Sequence, residues 1–161
     1  RIAGIDISEA MIQIAMNKKQ RGKSHACIEF QTGDAEKLAF QDNTFDVATI
    51  GFGIRNMENK SNVLHEINRV LKPEGILVIL EFSVPRNPVF RFYCNRILPF
   101  IGKMISDKAA YEYLPLSIHA FPPPEKFISL MKEAGFTDAA CISLTNNMVV
   151  LYKGKKQFRR F

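Results

Sequence analysis

The sequence has no tryptophan and only three cysteines, Cys27, Cys94 and Cys141, in 161 residues. The cysteines are far apart, odd in number and form no Cys-x-x-Cys pair, so they point to neither a disulfide framework nor a zinc site. Reduced, mostly buried thiols are the expectation, and with them a reducing compartment. No apolar stretch is long enough to span a bilayer, and the richest, Gly75 to Phe82, has only the length of a strand. There is no secretory signal pattern, internal repeat or low-complexity tract. An initiator methionine is also missing. The chain opens on "RIAGIDISEAM", where an apolar run reaches almost to the first residue, and buried strands seldom begin a protein there.

What is present suits one soluble globular domain with a real core: 47% hydrophobic and 24% charged residues. The net charge of +6 is uneven. The stretch 153–161, "KGKKQFRRF", carries Lys153, Lys155, Lys156, Arg159 and Arg160 with Phe158 and Phe161 between them. Composition favours a solvated, frayed terminus there over a contact with nucleic acid or an anionic membrane.

Strand and helix patterns alternate. Residues 2–6 read as a strand. Ser8 is a good N-cap for a helix over "EAMIQIAMNKKQ", with Met11, Ile12, Ala15 and Met16 facing inward. "CIEFQTGD" and "FDVATIGFG" read as strands, the second ending in glycines. "SNVLHEINRVLK" is a helix with Val63, Leu64, Ile67, Val70 and Leu71 on one side, stopping before Pro73, and "ILVILEFS" is a further apolar strand. Strands this apolar are expected to be covered on both faces, as in parallel sheets. The alternation therefore predicts an open, doubly wound α/β sheet.

Residues 84–121 break the rhythm with many aromatic and aliphatic side chains, and are too long for a plain connection. They are expected to form a helical insertion. After "FPPP", the segment "EKFISLMKEAGF" reads as a helix with Pro124 near its first turn and Gly135 just past its end. Two closing strands, "AACISL" and "MVVLYKG", flank Asn146-Asn147, a plausible two-residue hairpin turn.

In open α/β sheets ligands sit outside the carboxyl ends of the strands. Asp6 stands after the first strand, Asp34 and Ala35 after the second, Gly51 to Asn56 after the third, and Glu81 to Ser83 after the fourth. An acid at the end of a strand in a nucleotide-binding half accepts hydrogen bonds from ribose hydroxyls, and Asp6 suits that role if one strand precedes it. A carboxylate at Asp34 could accept from an adenine amino group. A capping or solvated role is equally open for each acid alone. Together they suggest an adenosine-containing ligand. In "GFGIRN" the glycines let backbone approach a ligand closely, which would leave Arg55 and Asn56 where a substrate meets the cofactor. A glycine turn with a surface arginine and a capping asparagine fits these letters equally well.

"GDAEKLAFQDNTFDVATIGFGIRNMENK", "RVLKPEGILVILEFSVP" and "YEYLPLSIHAFPPPEKFISLMKEAGF" resemble the ubiquinone/menaquinone biosynthesis C-methyltransferases, from about Ile5 to about Gly154. "FGIRN", "LEFS" and "YLPLSI" carry most of the specificity. The departures are Glu74-Gly75 where the family usually has Gly-Gly, Gly51 where it has Ser or Ala, and a Gly-rich loop near the start of the family's fold that this sequence does not contain.

The resemblance implies a Rossmann-like class I methyltransferase sheet, mostly parallel, with a C-terminal antiparallel hairpin. Ile2 to Asp6 would be its second strand. The first strand and Gly-rich loop would then be absent, and with them the sheet centre between the strands ending at Asp6 and Gly51. The expectation is a single, N-terminally incomplete domain over 1–161. The implied reaction is S-adenosylmethionine-dependent C-methylation of a prenylated quinol in menaquinone or ubiquinone biosynthesis, converting demethylmenaquinol to menaquinol or performing the equivalent benzoquinol step.

Under that reading Asp6, Asp34, Ala35 and Gly51 bind the cofactor. Arg55 and Asn56 serve the chemistry, and Tyr111, Tyr113 and His119 belong to a substrate lid over 84–121. No metal is expected. Expected partners are the quinol, a peripheral membrane surface, and a second copy of the chain or quinone-pathway enzymes, with no nucleic acid. The expected location is the cytoplasm, membrane-associated, or the mitochondrial matrix in a eukaryote. Two other readings stay open: a non-catalytic methyltransferase fold acting as a binding or scaffold module, and an NAD-dependent oxidoreductase, against which the closing hairpin and the lack of a Tyr-x-x-x-Lys pattern argue.

Overall fold

The structure, a computed structural model, describes residues 1–21, 27–84, 88 and 116–158. In chain order the elements are β1 (Ile2–Asp6), α1 (Glu9–Arg21), β2 (Ile28–Thr32), β3 (Phe45–Gly51), a 3-10 turn (Ile54–Asn56), α2 (Lys60–Val70), β4 (Leu71–Phe82), α3 (Pro124–Glu133), β5 (Phe136–Leu144), a second 3-10 turn (Thr145–Asn147) and β6 (Val149–Lys156). β1 pairs in parallel with β2. β3 pairs in parallel with β4, and the antiparallel β5–β6 hairpin joins at β4 to give the order β3-β4-β6-β5. Among the described residues β1 and β3 do not pair with each other, as the resemblance implies.

The core lies where α2 and α3 cover the four-stranded sheet. Asn59 caps α2, its Oδ1 accepting from the Asn62 amide at 3.1 Å, and the helix buries Val63, Leu64, Ile67 and Val70. Helix α2 ends at Val70, not at Lys72 as its periodicity suggests, because Leu71 already pairs with Phe45 as the first residue of β4. Pro124 occupies the first turn of α3, which buries Phe127 and Met131. Gly135 follows at φ 90°, a left-handed conformation that glycine adopts without strain. Phe127 sits 4.9 Å from Phe121 and 4.8 Å from Tyr152 between ring centroids. The carboxyl ends of β3 and β4 are anchored by this cluster and by the inward side chains of β4, Leu77, Ile79 and Glu81.

Four expectations are corrected. In α1 only Ile12 is buried, while Met11 is 53% and Met16 38% exposed, because α1 lies on the small β1–β2 sheet and only one of its faces is covered. The apolar strands are not covered on both faces among the described residues: Val47 on β3 is exposed, and Ile76, Val78 and Leu80 on β4 are only half-buried. The hairpin loop runs over Thr145–Met148 rather than two residues. Thr145, Asn146 and Asn147 all have positive φ, and Asn147 is buried, its amide donating to the Val84 carbonyl at 3.0 Å. The basic stretch begins inside β6 and not in a frayed tail. Lys155 pairs with Glu74, and the Lys156 ammonium donates to the Leu71 carbonyl at 2.7 Å and to Asn43 Oδ1 at 2.9 Å.

The Tyr152 hydroxyl is buried with no hydrogen-bond partner among the described residues, and burial pushes its pKa up. A buried, unpaired polar group costs about 1–3 kcal/mol. Tyr152→Phe is therefore expected to raise the urea midpoint, and a lowered midpoint would show that the hydroxyl is satisfied.

Candidate functional site

The carboxyl end of the β1–β2 sheet presents two acids side by side. Asp6 lies opposite Thr32 in register, and Asp34 follows two residues later. Each carboxylate makes the same local bond: Asp6 Oδ1 accepts from the Ser8 amide at 2.8 Å, and Asp34 Oδ1 from the Glu36 amide at 2.8 Å. These side-chain turns fix Asp6 as the last residue of β1 and Asp34 two residues past the end of β2, and both residues remain exposed. Ala35, beside them, is half-buried and packs on the core.

The loop after β2 carries Asp34 and Ala35 and is tied to α2. Glu36 Oε1 accepts from the Asn59 amide at 2.8 Å, and Glu66 Oε2 accepts from the Leu38 amide at 2.8 Å. Arg69 then donates to the carbonyls of Phe40 and Leu38 and pairs with Glu66 and Asp42. The acidic end of the small sheet is thereby anchored to the helix that follows the Gly51–Asn56 turn. The Arg69 guanidinium, with the Leu38 amide, holds the Glu66 carboxyl below its usual range. A carboxylate depressed in the folded state adds stability above its unfolded pKa and loses it as pH falls through the folded value. Acidification below the usual carboxylate range is therefore expected to lower the melting temperature more in the wild type than in Glu66→Gln. Parallel pH profiles would place the effect elsewhere.

At the other sheet, Gly51 ends β3, and apart from its chain neighbours no heavy atom of the described residues lies within 4 Å of where a Cβ would stand. Phe52 follows with φ 55°, a conformation unusual for a non-glycine residue, and its ring lies 4.5 Å from that of Phe82. Arg55 turns back under this pair. Its Nη1 donates to Glu81 Oε1 at 2.7 Å and to the Phe52 carbonyl at 2.5 Å, its Nε donates to Ser117 Oγ at 3.3 Å, and its guanidinium carbon is 5.3 Å from the Phe82 ring centroid. Asn56 is exposed at the end of the 3-10 turn, its amide donating to the Gly53 carbonyl at 3.0 Å.

The structure thus groups Asp6, Asp34 and Ala35 at one set of strand ends and Gly51, Arg55 and Asn56 at another, with the Glu36–Asn59 bond between their loops. His119 is exposed, in a helical segment at 116–120. Tyr111 and Tyr113, and most of the expected lid, lie outside the described residues. Two participants were given no role by the sequence reading, Glu81 and Ser117. Glu81 did carry a signal: it is the one charged residue in the apolar run Ile76–Phe82 of β4, in phase with the inward Leu77 and Ile79. Ser117 carried none.

No group of His, Cys, Asp and Glu among the described residues could hold a metal ion, and none of their helices is long and apolar enough to cross a membrane. The two exposed carboxylates, each with one oxygen engaged locally, form an acceptor set of the kind that ribose hydroxyls and an adenine amine need, and so fit the adenosine part of S-adenosylmethionine.

Comparison with known proteins follows the same lines. The model of the ubiE/COQ5 methyltransferase family matches residues 1–156. The chain is 42% identical over 159 residues to the ubiquinone/menaquinone biosynthesis C-methyltransferase UbiE of Geobacter sulfurreducens, an alignment that covers 96% of this chain and 62% of that protein. It is 39% identical to the demethylmenaquinone methyltransferase of Chlorobaculum parvum, covering 97% of this chain and 64% of that one. Among solved structures, a SAM dependent methyltransferase from Aquifex aeolicus superposes with a TM-score of 0.69 at 15% identity, over 96% of this chain and 68% of that chain, and so shares the fold. The chain therefore spans somewhat less than two thirds of the length of these two relatives.

Proposed function

This chain belongs to the ubiE/COQ5 methyltransferase family, and on that premise we propose that it serves S-adenosylmethionine-dependent C-methylation of a prenylated quinol, the menaquinol or ubiquinol precursor that lacks one ring methyl. The observation that carries the reading is the pairing of two strand-end sites. Acceptors for an adenosine stand at Asp6 and Asp34, and an aromatic, amide-bearing turn stands at Phe52 to Asn56. The cofactor, when bound, supplies a methyl group made electrophilic by its sulfonium.

The chain's own residues then bind and orient. Asp6 accepts from ribose hydroxyls and Asp34 from the adenine amine, while Gly51 leaves room for close approach at the end of β3. The side-chain amide of the exposed Asn56 donates a hydrogen bond to the phenolic oxygen next to the ring carbon that is methylated. Charge on that oxygen delocalises onto the carbon, and the fixed amide dipole favours it. Arg55 adds positive potential behind the turn. A guanidinium holds its proton and is no base, so its contribution is electrostatic. The exposed aromatic ring of Phe52, backed by Phe82, suits a quinol ring, and the apolar residues of 84–121 suit its isoprenoid tail. A substrate of this kind resides in lipid, so the enzyme would work at a membrane surface, where the exposed Lys153 and Phe158 are available for contact.

The test is turnover. The protein in its full natural length, given S-adenosylmethionine and a chemically reduced demethylated prenyl naphthoquinone or benzoquinone, is expected to yield the C-methylated quinone by mass spectrometry. Asn56→Ala is expected to cut kcat on the order of 100-fold, as loss of one fixed oxyanion donor does, with S-adenosylhomocysteine affinity unchanged. Lost cofactor affinity with normal turnover at saturation would place Asn56 on the cofactor side.

A further inference from the structure

Glu81 is fully buried in a strand whose other inward residues are apolar, and both its oxygens accept hydrogen bonds. Oε1 accepts from Arg55 Nη1 at 2.7 Å and from the Phe82 amide at 2.8 Å, and Oε2 accepts from the Arg55 amide at 3.1 Å. One carboxylate therefore grips Arg55 by both its backbone and its side chain. A buried ion pair is a poor means of gaining stability, since well-packed apolar side chains of similar volume do as well or better. It does impose a single geometry. Here the geometry extends from three separate parts of the chain. Arg55 Nη1 holds the carbonyl of Phe52, the residue with left-handed φ, and Arg55 Nε reaches Ser117 Oγ at 3.3 Å in the segment that follows residues 84–115. The guanidinium also underlies Phe82, which in turn carries the Phe52 ring.

We propose that Glu81 is a positioning residue: through Arg55 it sets the shape of the Phe52–Asn56 turn and docks the Ser117 segment against it, so that the amide of Asn56 and the segment over the site hold one arrangement. Glu81 touches neither substrate nor cofactor in this account. The proposal rests on the reading that the turn faces the quinol, and its test is built to fail separately from that reading.

Two variants are made in the protein at its full natural length: Glu81→Gln, which keeps the shape and removes the charge, and the double variant Arg55→Met/Glu81→Leu, which replaces the pair by apolar side chains. Amide hydrogen exchange is followed over residues 52–58 and 116–121, alongside kcat, KM and S-adenosylhomocysteine affinity. Glu81→Gln is expected to exchange faster in both segments and to lose on the order of 100-fold in kcat, the scale set by a misplacement of about 1 Å, with cofactor affinity unchanged. The double variant is expected to melt close to the wild type and yet to turn over no faster than Glu81→Gln, since it also removes the positive potential of Arg55. A double variant that folds and keeps wild-type kcat would make the pair structural only and overturn the proposal. If the wild type methylates no quinol, the functional reading fails by itself. Exchange then decides alone: faster exchange of both segments in Glu81→Gln supports the positioning role, and unchanged exchange overturns it.

Discussion

Titration calorimetry of the Asp6→Ala/Asp34→Ala double variant is expected to show S-adenosylhomocysteine binding weakened by about 3–6 kcal/mol, on the order of 10²–10⁴-fold. Each carboxylate accepts a hydrogen bond from a neutral donor, worth about 1.5–3 kcal/mol when the acceptor is charged. In the proposed reading the two serve different parts of the ligand, ribose and adenine, and the expected loss takes both together. The alanine changes also remove the local bonds to the Ser8 and Glu36 amides. Asp6→Asn and Asp34→Asn keep an oxygen for those amides and isolate the loss of charge, so their affinities should fall between wild type and alanine. Undiminished affinity in the double variant would remove both acids from the cofactor site and leave them as turn formers.

Stability shows the second large effect. Glu81→Ala is expected to lose about 3–5 kcal/mol in urea unfolding, because it strands the Arg55 guanidinium, whose side chain is only 9% exposed, without its counter-charge. The Arg1–Glu29 pair gives the contrast: 77% and 61% exposed, it is screened by solvent, and Glu29→Ala should be nearly silent. Equal losses from the two changes would mean that water reaches the Arg55–Glu81 pair.

Much of this architecture was legible before any coordinates. The period of Val63, Leu64, Ile67 and Val70, the Pro-to-Gly span of α3 and the apolar runs of β3 and β4 each indicate one element, and each forms. These signals are local, set by backbone period and turn chemistry. Burial is not local. Met11 and Met16 carry an inward pattern that depends on what covers α1, and the small β1–β2 sheet meets only the face that bears Ile12. The basic stretch reads as a tail from its charge, yet β6 includes its first four residues, 153–156, and Lys156 satisfies the carbonyls of Arg69 and Leu71 at the end of α2. The two strand-end acids and the Gly51–Asn56 turn were visible because chain order places them at carboxyl ends. What escaped is the tie between Arg55 and Glu81, 26 residues apart, and Ser117, 62 from Arg55. An acid inside an apolar strand announces that it has a partner. Only the fold names it.

The central claim is methyl transfer to a ring carbon of a quinol, and the position of the new methyl tests it most directly. The protein in its full natural length is incubated with S-adenosylmethionine carrying a ¹³C-labelled methyl and a reduced demethylated prenyl quinone, and the product is read by NMR. The account predicts the label on the ring carbon beside a phenolic oxygen, with a strongly reduced signal from Asn56→Ala. Label on a phenolic oxygen, or a quinol returned unlabelled by a protein that binds S-adenosylhomocysteine, would contradict it.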